Sequence, residues 1–564
     1  MTAEKVINPE EKAEDEWQRA YDKRYKSLEL DLKTAAGIPI KPVYSPKDAR
    51  EVNYENIGMP GVYPFTRGSH PLMYQYTRWT TQQGFGFGLP EHTRERYDVL
   101  RREGLSGYAG MEAPFFLIGD EVTTAGYDPD NPIAKGRVGK CGVSWCTTRD
   151  LERLFHDLPL DKMFTVWNIF LPSPIALAMY IVTAEKMGFP TKSLRGVSCF
   201  YVFEQMFMDH PGYEPENALK LAAEHTKFCA RNIPYWNSTS FDGYALQETG
   251  ANAVQELAFM FAEAIATTEA TMKAGLSPDD FVSRFGFHIA AGDDFFENVC
   301  KIRALRQIWA RLTKERFGCQ QAKSWRASTI QVETAGDSLT AQQPLNNIAR
   351  AAIQTLAAVL GSANSIWTTH YDEALSIPTE ESATICLRTQ QIILHETNVP
   401  NVVDPLGGSY YVEWLTNKMV EDVMALIRKI DDMTFVEAMK NGWIRQQIEG
   451  SAWEYRKALE TGDRVKVGVN KYATDDKLEM RLHKADPEVE KIAIQRVQEF
   501  RAQRDSQKTD KALEKMRRVA ENFRDMWPGG PEIMPAIIEA VRADATLGEM
   551  MEVMRQTFGF RYSY

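Results

Sequence analysis

From Met163 to His370 the sequence alternates short β-rich runs with longer helical patterns, and this alternation restricts the fold more than any other feature. The strand candidates are Met163–Phe170, Gly196–Phe203, Ser238–Tyr244, Phe285–Ala291, Ser328–Glu333 and Ser365–His370. Helical patterns lie between them at Ile175–Met187, Ala251–Ala274, Ile302–Phe317 and Gln343–Leu360. Strand starts fall roughly 35–50 residues apart, enough for one strand, one crossover helix and two short loops. Several runs are apolar on both faces, as strands covered by helices must be. The expectation is an α/β protein built as a parallel (β/α)8 TIM barrel, with its site at the C-terminal ends of the strands.

The barrel is expected over residues 41–469, between two unlike flanks. Residues 1–40 mix Glu, Lys and Asp with Trp17, Tyr21 and Tyr25 at helical spacing, which reads either as an amphipathic arm lying on another surface or as a solvated, frayed terminus. From residue 470 to 564 the chain becomes densely charged. A helical stretch Glu488–Arg518 is followed by Trp527-Pro-Gly-Gly-Pro531 and a compact helical end Ile533–Phe558. That region reads as a linker and helical appendage.

Charge and cysteine content remove several classes of function. Lys and Arg number 66 against 77 acids, a net charge of −11, and the bases are scattered instead of forming a stripe, so nucleic acid is not an expected partner. The seven cysteines form no Cys-x-x-Cys pair, which argues against a structural zinc site and for a reducing compartment. No apolar run reaches the roughly 18 residues of a bilayer span, and the N-terminus has no hydrophobic signal core, so a cytoplasmic protein is expected.

Short motifs punctuate most of the chain: Tyr63-Pro-Phe-Thr-Arg-Gly68, Met73-Tyr74, Gly126-Tyr-Asp-Pro-Asp-Asn-Pro132, Trp236-Asn237, Gly336-Asp-Ser-Leu-Thr340 and Val403-Asp-Pro-Leu-Gly-Gly-Ser-Tyr-Tyr-Val-Glu413. Together they resemble the catalytic subunit of the adenosylcobalamin-dependent acyl-CoA mutases, the family of methylmalonyl-, isobutyryl- and 2-hydroxyisobutyryl-CoA mutase. The resemblance implies a radical 1,2-rearrangement of an acyl-CoA carbon skeleton, an isomerase reaction.

Several residues have a role implied by that resemblance beside a plainer one. Arg67 has the planar fork that grips phosphate or carboxylate, or it forms an ordinary ion pair; the family's Thr-Arg-Gly arginine contacts the CoA ester. Tyr74 reads as a core aromatic, whereas the matching tyrosine in methylmalonyl-CoA mutase lies between substrate and corrin and helps expel the adenosyl group, a catalytic and cofactor-binding role. Asn237 and Arg284 match family residues along the CoA arm. Glu373 matches the glutamate that holds the adenosyl ribose, although a Glu at a helix start is often only a dipole partner. Thr369, in the same stretch, is taken as a cofactor contact.

The expected acyl pocket departs from the family. Relatives carry Gly-Thr-x-Gln-x-Asp and an Arg ten residues after that Gln; here the positions hold Cys199 and Asp209. An aspartate facing a free substrate carboxylate would repel it. The family histidine that bonds the thioester carbonyl is replaced by Ala245, the Ser-Leu-His-Thr-Asn run reads Ser365-Ile366-Trp367-Thr368-Thr369, and His-Ser-Gln-Thr reads Gln331-Val332-Glu333-Thr334. An apparent insertion, Ser106–Phe116, adds Tyr108, Phe115 and Phe116. Methylmalonyl-CoA is therefore a poor candidate. A bulkier acyl group of the arylsuccinyl or benzylmalonyl type is one account, an isobutyryl- or 2-hydroxyisobutyryl-CoA-type mutase another, and a non-catalytic mutase-like subunit a third.

Family members hold cobalt through Asp-x-His-x-x-Gly, and none of the nine histidines here has Gly three positions later. The chain closes at Tyr564, just past the segment that in single-chain mutases leads into the cobalamin domain. The resemblance thus implies adenosylcobalamin bound with a small partner subunit that supplies the motif, in a heterotetramer of two large and two small subunits.

Overall fold

A computed structural model describes residues 9–25, 32–49, 54–107, 111–200, 212–327, 329–474 and 479–560. Its strands are β1 (Thr80–Gln82), β2 (Gly84–Phe85), β3 (Phe87–Gly88), β4 (Phe115–Ile118), β5 (Gly142–Val143), β6 (Phe164–Asn168), β7 (Arg195–Ser198), β8 (Trp236–Asn237), β9 (Thr239–Asp242), β10 (Phe285–Ala291), β11 (Ile330–Thr334) and β12 (Ser365–Trp367). They form one five-stranded sheet in the order β1-β12-β11-β10-β9 and another in the order β2-β4-β6-β7-β8, with the strands in both paired in parallel. β3 and β5 pair separately, also parallel. Gln83 alone separates β1 from β2, and Ser238 alone separates β8 from β9.

The α/β expectation is met, and all six anticipated strands are present, β10 at its expected bounds and the other five with shifted ends. The sequence does not reveal β1, β2 and β3 at the front, nor the two-residue β5 and β8. Thr80–Gln82 and Gly84–Phe85 escape notice because Thr-Thr-Gln-Gln is polar on both faces. Phe115–Ile118, placed in an inserted loop by the sequence, is instead strand β4, buried between β2 and β6. The helical stretch 488–518 is broken at Arg504-Asp505 into Glu488–Gln503 and Ser506–Met526, where Asp505 caps the second helix by accepting from the Lys508 amide. In the N-terminal arm, Pro9–Tyr25 is helical and Trp17 stacks on Tyr21 at 5.2 Å.

The outward side chains of the strands pack on the helices that follow them. Phe285 and Phe287 of β10 meet Trp309 of helix Phe295–Arg311, and Trp167 of β6 meets Tyr180 of helix Ser173–Lys186. The apolar core continues from there into the C-terminal helices through Met516, Phe523, Ile537, Met550 and Phe558. Among the described residues, no helix is long and apolar enough to cross a membrane.

A polar clamp ties the C-terminal helices to the loop that follows helix Glu121–Thr124. Arg501 donates to Asp128 and Asp130, each at 2.6 Å, while Asp128 also accepts from Thr546 Oγ1 at 2.5 Å and the Gly548 amide at 2.9 Å. The Gly126-Tyr-Asp-Pro-Asp-Asn-Pro motif is thus a docking surface. Replacing Arg501 by leucine leaves Asp128 buried without its cation and is expected to cost about 2–4 kcal/mol. The urea midpoint should fall and proteolysis between residues 479 and 560 should accelerate; an unchanged midpoint would mean the clamp is ornamental.

Candidate active site

Two polar regions occupy opposite ends of the parallel strands. At the N-terminal end, Arg195 opens β7, Tyr235 immediately precedes β8 and Arg284 immediately precedes β10. The Arg195 guanidinium lies 4.1 Å from the Tyr235 ring centre, and that of Arg284 lies 5.9 Å from the same ring. Neither guanidinium makes a hydrogen bond or ion pair among the described residues. Burial, then the charge of Arg195, pushes the Arg284 pKa down. Two cations without an acid favour an anion, and their forks suit phosphate oxygens. Asn237 lies just inside this end, with Nδ2 3.4 Å from Thr329 Oγ1. Arg284 and Asn237 were legible in the sequence; Arg195 and Tyr235 were not, since a strand-initial Arg after a Lys-Ser-Leu turn carries no motif.

Arg67 and Tyr74 form a neighbouring group. Arg67 Nε is 2.9 Å from Asp404 Oδ2, which makes the ion-pair reading correct for that nitrogen, while its two terminal nitrogens have no partner among the described residues. Arg306, fully buried, donates to the carbonyls of Phe65, Thr66, Gly361 and Ser362 and so shapes the loop that presents Arg67. Tyr74 donates to the Ala363 carbonyl at 2.6 Å and packs edge-on against Trp79. Ala363 lies before β12 and Glu373 after it, so the structure does not bring Tyr74 beside Glu373.

The C-terminal region is built on β9, β10 and β11. Asp242 ends β9, caps helix Gly243–Glu248 through the Ala245 amide at 3.1 Å, and is the register partner of His288 on β10. His288 Nδ1 lies 3.2 Å from Asp242 Oδ1 and Nε2 lies 3.1 Å from Glu333 Oε2. Tyr244 stacks on the imidazole at 5.0 Å with the rings 13° apart. All of these residues are buried except Tyr244, which is half-buried. Burial alone would lower the His288 pKa, but Asp242 and Glu333 outweigh it and raise it to about 10. Burial raises the Glu333 pKa, against His288. Glu248, close enough to feel Asp337 and Glu333, is pushed up to about 8, chiefly by burial.

The remaining expected residues are distributed around this group. Cys199 follows β7, buried, its amide bonded to the Trp167 carbonyl at 2.9 Å. Thr369 is committed to Thr334 through both its amide and its hydroxyl, which leaves the hydroxyl no proton for a ligand. Glu373 accepts from His370 at 3.1 Å through Oε2, and Oε1 has no hydrogen bond among the described residues. Asp209 lies outside the described residues. His288 was missed by sequence reasoning; its only signal was a single histidine in an otherwise apolar strand.

A His raised by two acids gives a pH dependence of defined sign. Its stabilisation is complete below the unperturbed value of about 6.5 and is lost as pH rises towards 10. The stability gap between the wild type and His288→Gln is therefore expected to narrow steadily from pH 7 to pH 10. A gap independent of pH would show a neutral histidine.

Among the described residues no cluster of His, Cys, Asp and Glu could hold a metal ion. A family model described as methylmalonyl-CoA mutase matches residues 33–560. The chain therefore belongs to the methylmalonyl-CoA mutase family, and it is an isomerase of the adenosylcobalamin-dependent acyl-CoA mutase class. It is 34% identical over 543 residues to the 2-hydroxyisobutanoyl-CoA mutase large subunit of Aquincola tertiaricarbonis, covering 96% of this chain and 94% of that protein. It is 36% identical over 532 residues to methylmalonyl-CoA mutase of Rhizobium meliloti, covering 93% and 72% respectively. To the human mitochondrial methylmalonyl-CoA mutase it is 33% identical over 569 residues, covering 99% and 73%.

Proposed function

We propose that this chain is the acyl-CoA-binding subunit of a mutase that rearranges an acyl group lacking the free carboxylate of methylmalonyl-CoA. The carrying observation is the acidic surround of His288. Asp242 and Glu333 stand at or beside positions where the family resemblance puts the acyl group, with His288 as the buried cation between them. A second carboxylate brought there meets repulsion, about 4 kcal/mol at 4 Å in a partly shielded site. A bulky aromatic acyl group draws less support, because Trp367 and Phe116 pack edge-to-face at 5.0 Å and return the volume that Ala245 and Cys199 release.

On this reading the two five-stranded sheets are one eight-stranded barrel, continuous at Gln83 and Ser238. The Arg195, Tyr235 and Arg284 group then receives the phosphates of CoA at one end while the acyl group reaches His288 and Glu333 at the other. Glu373 suits the adenosyl half of the cofactor, since its free Oε1 can accept from ribose hydroxyls. When bound, adenosylcobalamin supplies the hydrogen-atom transfer that starts and ends the rearrangement. The chain's own residues bind the CoA ester, orient the acyl group and exclude water from it.

No histidine here stands in Asp-x-His-x-x-Gly, so the cobalt ligand is assigned to a small partner subunit, as the large-subunit name of one relative suggests. Gel filtration with adenosylcobalamin is expected to leave the chain alone cobalamin-free and to give a cobalamin-containing complex once a small subunit with that motif is added. Stoichiometric retention by the chain alone would defeat the two-subunit reading.

A further inference from the structure

Three side chains on adjoining strands β11 and β12 share one face of the sheet and leave hydrogen-bonding capacity unused. Gln331 and Glu333 are two apart on β11, so they project to the same side. Glu333 is the register partner of Trp367 on β12, which projects with it. Gln331 and Trp367 are 7% and 8% exposed, yet Gln331 Nε2 and Trp367 Nε1 are buried with no hydrogen-bond partner among the described residues. Glu333 is 6% exposed and uses only Oε2, on His288; Oε1 has no partner among the described residues. Buried donors without acceptors are rare and costly. Two donors and one acceptor in a single buried patch are the complement of a ligand with the opposite set.

The patch is braced from behind. A Cβ on Gly84 would stand 2.4 Å from the Trp367 ring, so the indole lies directly on the β2 backbone, and Phe116 holds its edge. Glu333 is fixed by His288, itself held by Asp242 and covered by Tyr244. Because His288 already faces Glu333 Oε2, the free oxygen is a hydrogen-bond acceptor in a paired set instead of a lone charge seeking a cation. That favours a neutral hydroxyl over an ammonium.

We propose that Glu333 is the specificity-determining residue for a hydroxyacyl-CoA: its Oε1 accepts the hydroxyl of the acyl group, while Gln331 Nε2 and Trp367 Nε1 donate to the thioester carbonyl. This rests on the acyl-CoA mutase reading above and narrows its substrate class. The three residues are binding and orienting groups and transfer no proton.

The test is binding of CoA, isobutanoyl-CoA, 2-hydroxyisobutanoyl-CoA and methylmalonyl-CoA to the full chain by titration calorimetry. A hydrogen bond to a charged acceptor predicts that the wild type prefers the hydroxy ester to isobutanoyl-CoA by roughly 10- to 100-fold. Glu333→Met should reduce that preference below about threefold, within what one lost charged hydrogen bond explains. Glu333→Gln, which keeps an acceptor oxygen and the shape, should tighten methylmalonyl-CoA by removing the like charge. Trp367→Phe should weaken every ester relative to free CoA by about fivefold and leave the hydroxyl preference intact. Should Glu333→Met fail to fold, the wild-type preference and the Glu333→Gln gain still decide the matter. Esters bound with no hydroxyl preference overturn this inference alone, whereas failure to bind CoA or any ester overturns the proposed function itself.

Discussion

Replacing Arg303 by methionine is expected to destabilise the protein by roughly 3–5 kcal/mol, more than the loss of Arg501. Arg303 is 1% exposed and bridges two buried acids, with Nη1 2.5 Å from Asp404 Oδ1 and Nη2 2.6 Å from Glu413 Oε1. Its Nε reaches Thr416 Oγ1 at 3.3 Å. Methionine fills comparable volume, so packing changes little, but two carboxylates lose their shared cation in a site without solvent. Arg67 still holds Asp404 and the Gly408 amide still holds Glu413, which sets the loss below that of two wholly abandoned charges. Asp404 also anchors Arg67, so if Arg67 holds the CoA ester as the family resemblance implies, ester affinity should fall with stability. Urea unfolding measures the first effect. Combining Arg303→Met with Glu413→Gln and Asp404→Asn should recover much of it, since charge without a partner, and not the missing contact, is the cause. A midpoint unmoved by the single change would show that the network contributes nothing.

That network also shows what the sequence could and could not reveal. The Val403-Asp-Pro-Leu-Gly-Gly-Ser motif was visible as a motif, but nothing in it says that its aspartate joins an arginine 101 positions earlier on a helix. Strands β6, β7 and β9 to β12 were legible because β-branched and aromatic runs are separated by long helical patterns. β1 and β2 were not, because Thr-Thr-Gln-Gln takes its strand conformation from pairing with β12 and β4 and has no apolar alternation of its own. Phe115–Ile118 was mistaken for inserted loop because it is only four residues long and follows Ala-Pro. Of the candidate site residues, Glu373, Asn237 and Arg284 stand in motifs that the sequence displays. His288 could not, since its meaning lies in lateral register with Asp242 and in a diagonal reach to Glu333, two residues past its register partner Gln331, on strands about 45 residues to either side. The loss of histidine at Ala245 looked like removal of polarity; the structure shows an imidazole on the next strand.

The second large effect is on substrate choice. Once assembled with a cobalamin-binding small subunit, the enzyme is expected to process methylmalonyl-CoA with kcat/KM about three orders of magnitude below that for its preferred acyl-CoA. The figure follows from about 4 kcal/mol of repulsion between the substrate carboxylate and the Glu333 and Asp242 side of the pocket. His288 lowers the field but does not reverse it, since it is one cation between two acids. Raising ionic strength should barely change the ratio, because the charges are buried and poorly screened. Glu333→Gln should narrow the gap by an order of magnitude or more, through gain on methylmalonyl-CoA as well as loss on the preferred ester.

The most direct measurement is freeze-quench electron paramagnetic resonance on the assembled enzyme, mixing the chain, the small subunit and adenosylcobalamin with each acyl-CoA in turn. The account predicts a coupled cobalt and organic radical signal within one turnover of adding a non-carboxylated acyl-CoA, little signal with methylmalonyl-CoA, and none when the small subunit is omitted. A signal as strong with methylmalonyl-CoA as with every other ester, or no signal with any ester, would contradict it.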